Sequence, residues 1–141
     1  MKSIFLMLSL MLPVTLLSSS ASLAQSEDAA TFSYDLMSLK VQAKALKSKL
    51  PEKVDDMTTM VDVKFEPTEL TQWYVVDLSK LPVGKMFGQR EVEQEAQQEM
   101  QQKVCSNPRS ARLVNQGYRY TYHYADKEGA SLADFTITTC P

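Results

Sequence analysis

Histidine, tryptophan, cysteine and glycine are scarce in this chain. Its 141 residues include one His, one Trp, two Cys and four Gly. The lone histidine, His123, serves as a general base only beside a nucleophile or a carboxylate. Cys105 and Cys140 lie too far apart for a CxxC redox pair or a compact zinc set. No GxGxxG, P-loop, GxSxG or HExxH pattern is present. An excess of basic charge is missing too. Fifteen Lys and Arg face seventeen Asp and Glu, a net charge of −2, which argues against a generic nucleic-acid surface. Asp55-Asp56 with Asp62 lacks calcium-loop spacing. Met57 and Met60 form a single Met-x-x-Met, which suits packing at least as well as Cu(I) binding. The expectation is a non-enzyme with no cofactor and no metal.

What is present begins with an export signal. Lys2 precedes an apolar run from Ile4 to Leu17, interrupted by Ser9, Pro13 and Thr15. Ser22-Leu23-Ala24 fits the small-x-small rule before a cut. The run is short for a membrane span, and no stop-transfer segment follows. Residues 1–24 are therefore expected to be a cleaved signal peptide and residues 25–141 a single domain. No Cys stands near the cut to carry a lipid. The remaining 117 residues hold fourteen basic and seventeen acidic side chains. They suffice for one domain with a modest core. Export points to the periplasm, with secretion as the alternative, and no stable membrane span remains after cleavage.

The stretch from Cys105 to Cys140 carries the strongest structural signals. Disulfides persist in exported proteins, so a Cys105–Cys140 bridge is expected, two free thiols being the alternative. Asn107 is a good helix N-cap, Pro108 suits the first helical position, and Gly117 suits the end. Tyr118, Tyr120, Tyr122 and Tyr124 take every second position, which places four rings on one strand face and His123 on the other. Asp126-Lys127-Glu128-Gly129 reads as a hairpin turn. The return strand, Ala130 to Thr139, is β-branched and aromatic, with Phe135 and Ile137 on one face. Asp134 then falls near His123 across the hairpin.

Upstream, Gln25 to Ala30 reads as a flexible lead-in, and Thr31 or Ser33 as a helix cap. Leu36, Leu39, Ala43, Leu46 and Leu50 make one apolar stripe on a helix that Pro51 stops. Lys40, Lys44, Lys47 and Lys49 lie largely off that stripe. They fit plain solvation, or a basic flank for a partner or membrane surface. Met57 to Glu66 alternates as a strand, with Thr59, Val61, Val63 and Phe65 on one face. Glu66-Pro67-Thr68-Glu69 is a turn, and Leu70 to Leu78 returns with large apolar groups on both faces, Trp73 among them. Pro82, Gly84 and Gly88 mark a connection. Gln89 to Val104 is a glutamine- and glutamate-rich helix with a thin apolar stripe: Val92, Ala96, Met100 and Val104.

This order predicts an α+β fold: a small antiparallel sheet of about four strands in two hairpins, covered by two main helices and one short helix. The candidate interface is aromatic: Trp73, Tyr118, Tyr120, Tyr122 and Tyr124. The alternative for the tyrosines is a core covered by a helix, with hydroxyls reaching its edge. The layout resembles that of small periplasmic accessory proteins, among them secretion-system pilotins and immunity proteins. The resemblance covers no motif and carries over no residue, and the missing lipid-attachment cysteine departs from the lipoprotein pilotins. It implies a protein that binds another exported or envelope protein. The alternatives are a small-ligand or lipid carrier, with the rings lining a pocket between helix and sheet, and an immunity or inhibitor protein of a secreted effector. A hydrolase built on His123 would need a carboxylate or hydroxyl within reach of its ring.

Overall fold

A computed structural model of the chain describes residues 21–81 and 88–141. The apolar run Ile4–Leu17 and the breakers Pro82 and Gly84 lie outside the described residues. The element order is α1 (Ala21–Lys47), β1 (Glu52–Lys53), β2 (Thr58–Glu66), β3 (Glu69–Val76), a 3-10 turn (Leu78–Lys80), α2 (Gln89–Ser106), α3 (Pro108–Asn115), β4 (Arg119–Asp126) and β5 (Ser131–Ile137). Helix α1 begins earlier than expected. Residues 25–30 are helical rather than a flexible lead-in, and Thr31 and Ser33 lie inside the helix rather than capping it. The reason is local: Glu27, Ala29 and Ala30 are good helix formers, and no Gly or Pro intervenes. Its stripe packs as the spacing predicts. Leu39 and Ala43 are buried, with Leu36, Leu46 and Leu50 against them.

The sheet has five strands in chain order. The two expected hairpins, β2–β3 and β4–β5, are antiparallel. They join through β3 and β4, which run parallel from Glu69↔Arg119 to Val76↔Asp126. The wholly antiparallel four-strand expectation is corrected here. Helices α2 and α3 lie between β3 and β4 in the chain and return it to the end where β3 began, so the next strand runs alongside β3. The fifth strand, β1, is two residues long on the outer edge of β2 and too short to show a pattern.

A second correction concerns β2. Its pairing with β3 shifts between Met60 and Asp62, leaving Val61 as an extra residue. A bulge moves side chains to the opposite face on one side of it. Met60, Val63 and Phe65 therefore pack in the core, while Val61 is exposed. A comparable shift near Tyr124 leaves Leu132 unpaired in β5.

All three helices lie on one face of the sheet. Helix α1 packs over β2, α3 over β4 and α2 over β5, and α3 touches both other helices. Asn107 caps α3 through its side chain, which accepts from Arg109 N and Ser110 N, and Pro108 opens the helix. Gly117 follows its C-terminus at φ +93°, a conformation that favours glycine. Leu113 and Val114 of α3 are almost fully buried.

Cys105 and Cys140 form a disulfide with 5.4 Å between Cα atoms. It ties the last turn of α2 to the segment leaving β5. Replacing both cysteines with serine is expected to lower unfolding stability by about 4 kcal/mol on the chain-entropy account. A urea transition with a lower midpoint, and a steeper slope because the unbridged unfolded chain exposes more surface, is the measurement.

Candidate functional site

Besides the basic flank of α1, three places were open to a function on sequence grounds: the tyrosine row, the face around Trp73 and His123, and the surface between helix and sheet.

The tyrosine row is core. Tyr118, Tyr120, Tyr122 and Tyr124 share one face, as period two requires, but α1, α2 and α3 cover that face. The four rings are between 1% and 8% exposed. As an exposed interface they are corrected. The rings pack on one another and on their neighbours. Tyr74 stacks on Tyr124 at 4.8 Å between centroids and 11° between planes, and Tyr122 stacks on Phe135 at 5.3 Å. Their hydroxyls turn to nearby polar groups. Tyr118 donates to the Glu66 carbonyl at 2.9 Å, and Tyr74 donates to Gln72 Oε1 at 2.9 Å. The Tyr120 hydroxyl faces Ser110 but makes no hydrogen bond of ordinary geometry.

Burial pushes the phenols of Tyr74, Tyr118, Tyr120, Tyr122 and Tyr124 above the usual tyrosine value, with neighbouring tyrosines or carboxylates adding to it.

Trp73 and His123 occupy the other sheet face, which no described helix covers. One row crosses four strands: Asp62↔Trp73↔His123↔Asp134. The half-buried Trp73 ring stacks on His123 at 5.5 Å and 21°. The expected proximity of Asp134 holds, with His123 Nδ1 2.5 Å from Asp134 Oδ1. A carboxylate is thus within reach of the histidine. Ser131 donates its hydroxyl to Asp134 Oδ2, whereas a Ser–His–Asp relay needs the hydroxyl on the imidazole. The Ser131 hydroxyl, then the His123 ring, holds the Asp134 carboxyl below its ordinary range. Among the described residues no cluster of three His, Cys, Asp or Glu side chains could hold a metal.

The third place is a groove of about 620 Å³. Tyr74, Val76 and Tyr124 form its floor at one end of the sheet. Val92, Ala96 and Met100 of α2 make one wall. Val54, Met57, Leu78, Leu81 and Leu132 complete it, and Asp55, Glu95, Glu99 and Lys103 are its charged members. Of the residues singled out from sequence as interface, only Tyr124 reaches it. The groove was hidden because its wall is assembled by the α2 stripe and the loops around β1. Val92, Ala96 and Met100 were readable only as a thin stripe, which leaves room beside the sheet end.

With this geometry in view, three solved structures share the fold. A type 2 secretion system pilotin from Vibrio vulnificus, EpsS, is 13% identical with a TM-score of 0.58, over 78% of this chain and 93% of that one. The type II secretion system pilotin AspS from Vibrio cholerae is 14% identical with a TM-score of 0.54, over 78% and 94%. A predicted secreted protein from Pseudomonas aeruginosa is 16% identical with a TM-score of 0.53, over 74% and 91%. No protein-family profile and no curated protein matches the chain. At these identities the likeness is one of fold.

Two outcomes follow for the tyrosines. The five buried phenols have folded values raised above the unfolded value near 10. Their contribution to stability is full below pH ~10 and is lost as pH rises through the folded values. Alkaline titration at the phenolate absorption band should show these phenols ionising together with unfolding, tracked by circular dichroism. Separately, Tyr118→Phe is expected to cost about 1 kcal/mol by stranding the Glu66 carbonyl. Tyr120→Phe is expected to be neutral or stabilising. Denaturant midpoints compare the two.

Proposed function

We propose that this chain is an exported, non-enzymatic accessory protein that holds an apolar segment of another envelope protein in the groove beside α2. One observation carries the reading: an open, tyrosine-floored groove of about 620 Å³ on a fold shared with secretion pilotins. Its walls are aliphatic, aromatic and thioether groups, which reward burial of apolar side chains without demanding one shape. Glu99 is paired with Lys103 at 2.6 Å, and Asp55 and Glu95 leave the groove acidic on balance, which favours a segment with basic residues beside its apolar ones.

The carrier reading put the rings around a pocket between helix and sheet; Tyr124 does line the groove, while Tyr118, Tyr120 and Tyr122 are packed against their neighbours under the helices. For the hydrolase reading, the nearby Ser131 hydroxyl bonds Asp134 rather than the His123 ring. The export reading rests on the leader: residues 1–24 are removed, and a chain cut after Ala24 starts α1 at Gln25 in the periplasm.

Leu78 is 41% exposed and lines the groove, so Leu78→Asp disturbs the surface more than the fold. Ala96→Trp fills the groove from the α2 wall. Each is expected to reduce recovery of an envelope partner by about tenfold or more in a pull-down from the native source, about 1.4 kcal/mol, while the thermal midpoint of Leu78→Asp stays within a few degrees. Full partner recovery with both variants would sink the groove as the binding site.

A further inference from the structure

Helix α1 has a second apolar stripe that the fold does not use. The three most exposed large apolar side chains of the described residues stand on it: Tyr34 at 68%, Met37 at 63% and Val41 at 62%. Steps of three and four put them on one face, opposite Leu36, Leu39 and Ala43. Lys40 and Lys44 border this stripe on one side, with no ion-pair partner among the described residues. The Arg109 guanidinium of α3 lies over the Tyr34 ring at 5.8 Å. The stripe belongs to a different part of the helix layer from the groove, because α3 lies between α1 and α2.

Charge separates the two sites as well. The groove flank of α2 carries Glu95 and Glu99, the latter paired with Lys103, while α1 offers Lys40 and Lys44. A second copy packed on the stripe would bring Lys40 and Lys44 near their own equivalents, which repels. A partner protein needs more surface than the stripe supplies. It spans two helical turns, about 10 Å along a helix about 10 Å across and so roughly 100 Å², against roughly 800 Å² per partner in a stable interface. A lipid surface requires no shape match. It accepts three apolar side chains at the headgroup level, suits the amphipathic tyrosine ring, and pairs lysines that snorkel with lipid phosphates.

We propose that α1 rests in the plane of an anionic membrane surface, with Tyr34, Met37 and Val41 among the acyl boundary and Lys40 and Lys44 on the headgroups. The acidic α2 flank is repelled by the same surface, so the bound protein presents its groove away from the lipid.

The test uses the chain recovered after export, its N-terminus read by mass spectrometry. Its probes are vesicles of equal parts phosphatidylglycerol and phosphatidylcholine, and vesicles of phosphatidylcholine alone. Wild type should sediment with the anionic vesicles and at least about fivefold less with the neutral ones, the difference shrinking with salt. A Tyr34→Ser, Met37→Ser, Val41→Ser triple variant, all at exposed sites, should lose about tenfold in binding with an unchanged melting curve. Lys40→Ala with Lys44→Ala should lose the preference for anionic lipid. Equal sedimentation of the triple variant and wild type overturns the proposal. So does a wild-type dimer that the triple variant makes monomeric, which assigns the stripe to a second copy. So does loss of a co-purified acidic protein without any vesicle binding, which assigns it to a partner.

Discussion

The parallel pairing of β3 with β4 is the constraint on which the rest depends. It joins two hairpins that could not bury their apolar faces separately, since a lone hairpin is barely stable in water. It also aligns their rows. Leu70, Gln72 and Tyr74 fall beside Tyr120, Tyr122 and Tyr124 on the helix side, and Trp73 falls beside His123 on the other. The stacking of Tyr74 on Tyr124 is a product of that register. A shift of one residue would exchange faces and bring Trp73 under the helices.

The helix layer is held by a different kind of contact. Asp35 on α1 is 1% exposed and is clasped by two arginines of α3. Arg112 donates through Nε at 2.9 Å and Nη2 at 3.2 Å, and Arg109 Nε lies 3.2 Å away. The hydrogen bonding that Arg112 donates to Asp35 is the main reason its guanidinium is held above its ordinary value. A buried carboxylate is costly unless its lone pairs are filled, so this cluster sets how α1 and α3 lie against each other. That fixes which face of α1 turns outward and leaves Tyr34, Met37 and Val41 in solvent.

The two surfaces proposed to act are complementary in what they ask of the fold. The groove exists because α2 covers β5 with a stripe of modest side chains and leaves the sheet end uncovered. The α1 stripe exists because a long helix needs only one face for a small core. A protein that binds one partner and one surface gains by separating them in space and in charge, and here α3 stands between.

Much of the fold was legible in order. The cysteine pair, the Asn107-Pro108 cap, the Gly117 stop, the two hairpins and the α1 and α2 stripes are signals between residues close in the chain, or chemical constraints on a compartment. Even the His123–Asp134 contact was within reach, because a short turn sets hairpin register. Less of the candidate site was legible. The tyrosine row showed its period but not its burial, since alternation says which residues share a face and not what covers it. The bulge at Val61 was invisible, because one extra residue leaves composition and spacing unchanged.

By itself, then, the order of residues determined the main helices, the two hairpins, the shared face of the tyrosine row and the bridge, through backbone propensity and sulfur chemistry that act over short distances or need only two partners. Tertiary structure alone decided that β3 and β4 run parallel, that the phenols go inside while Trp73 stays half out, and that a groove opens beside α2. Those outcomes depend on how three helices compete for one sheet face, and no local stretch carries that information.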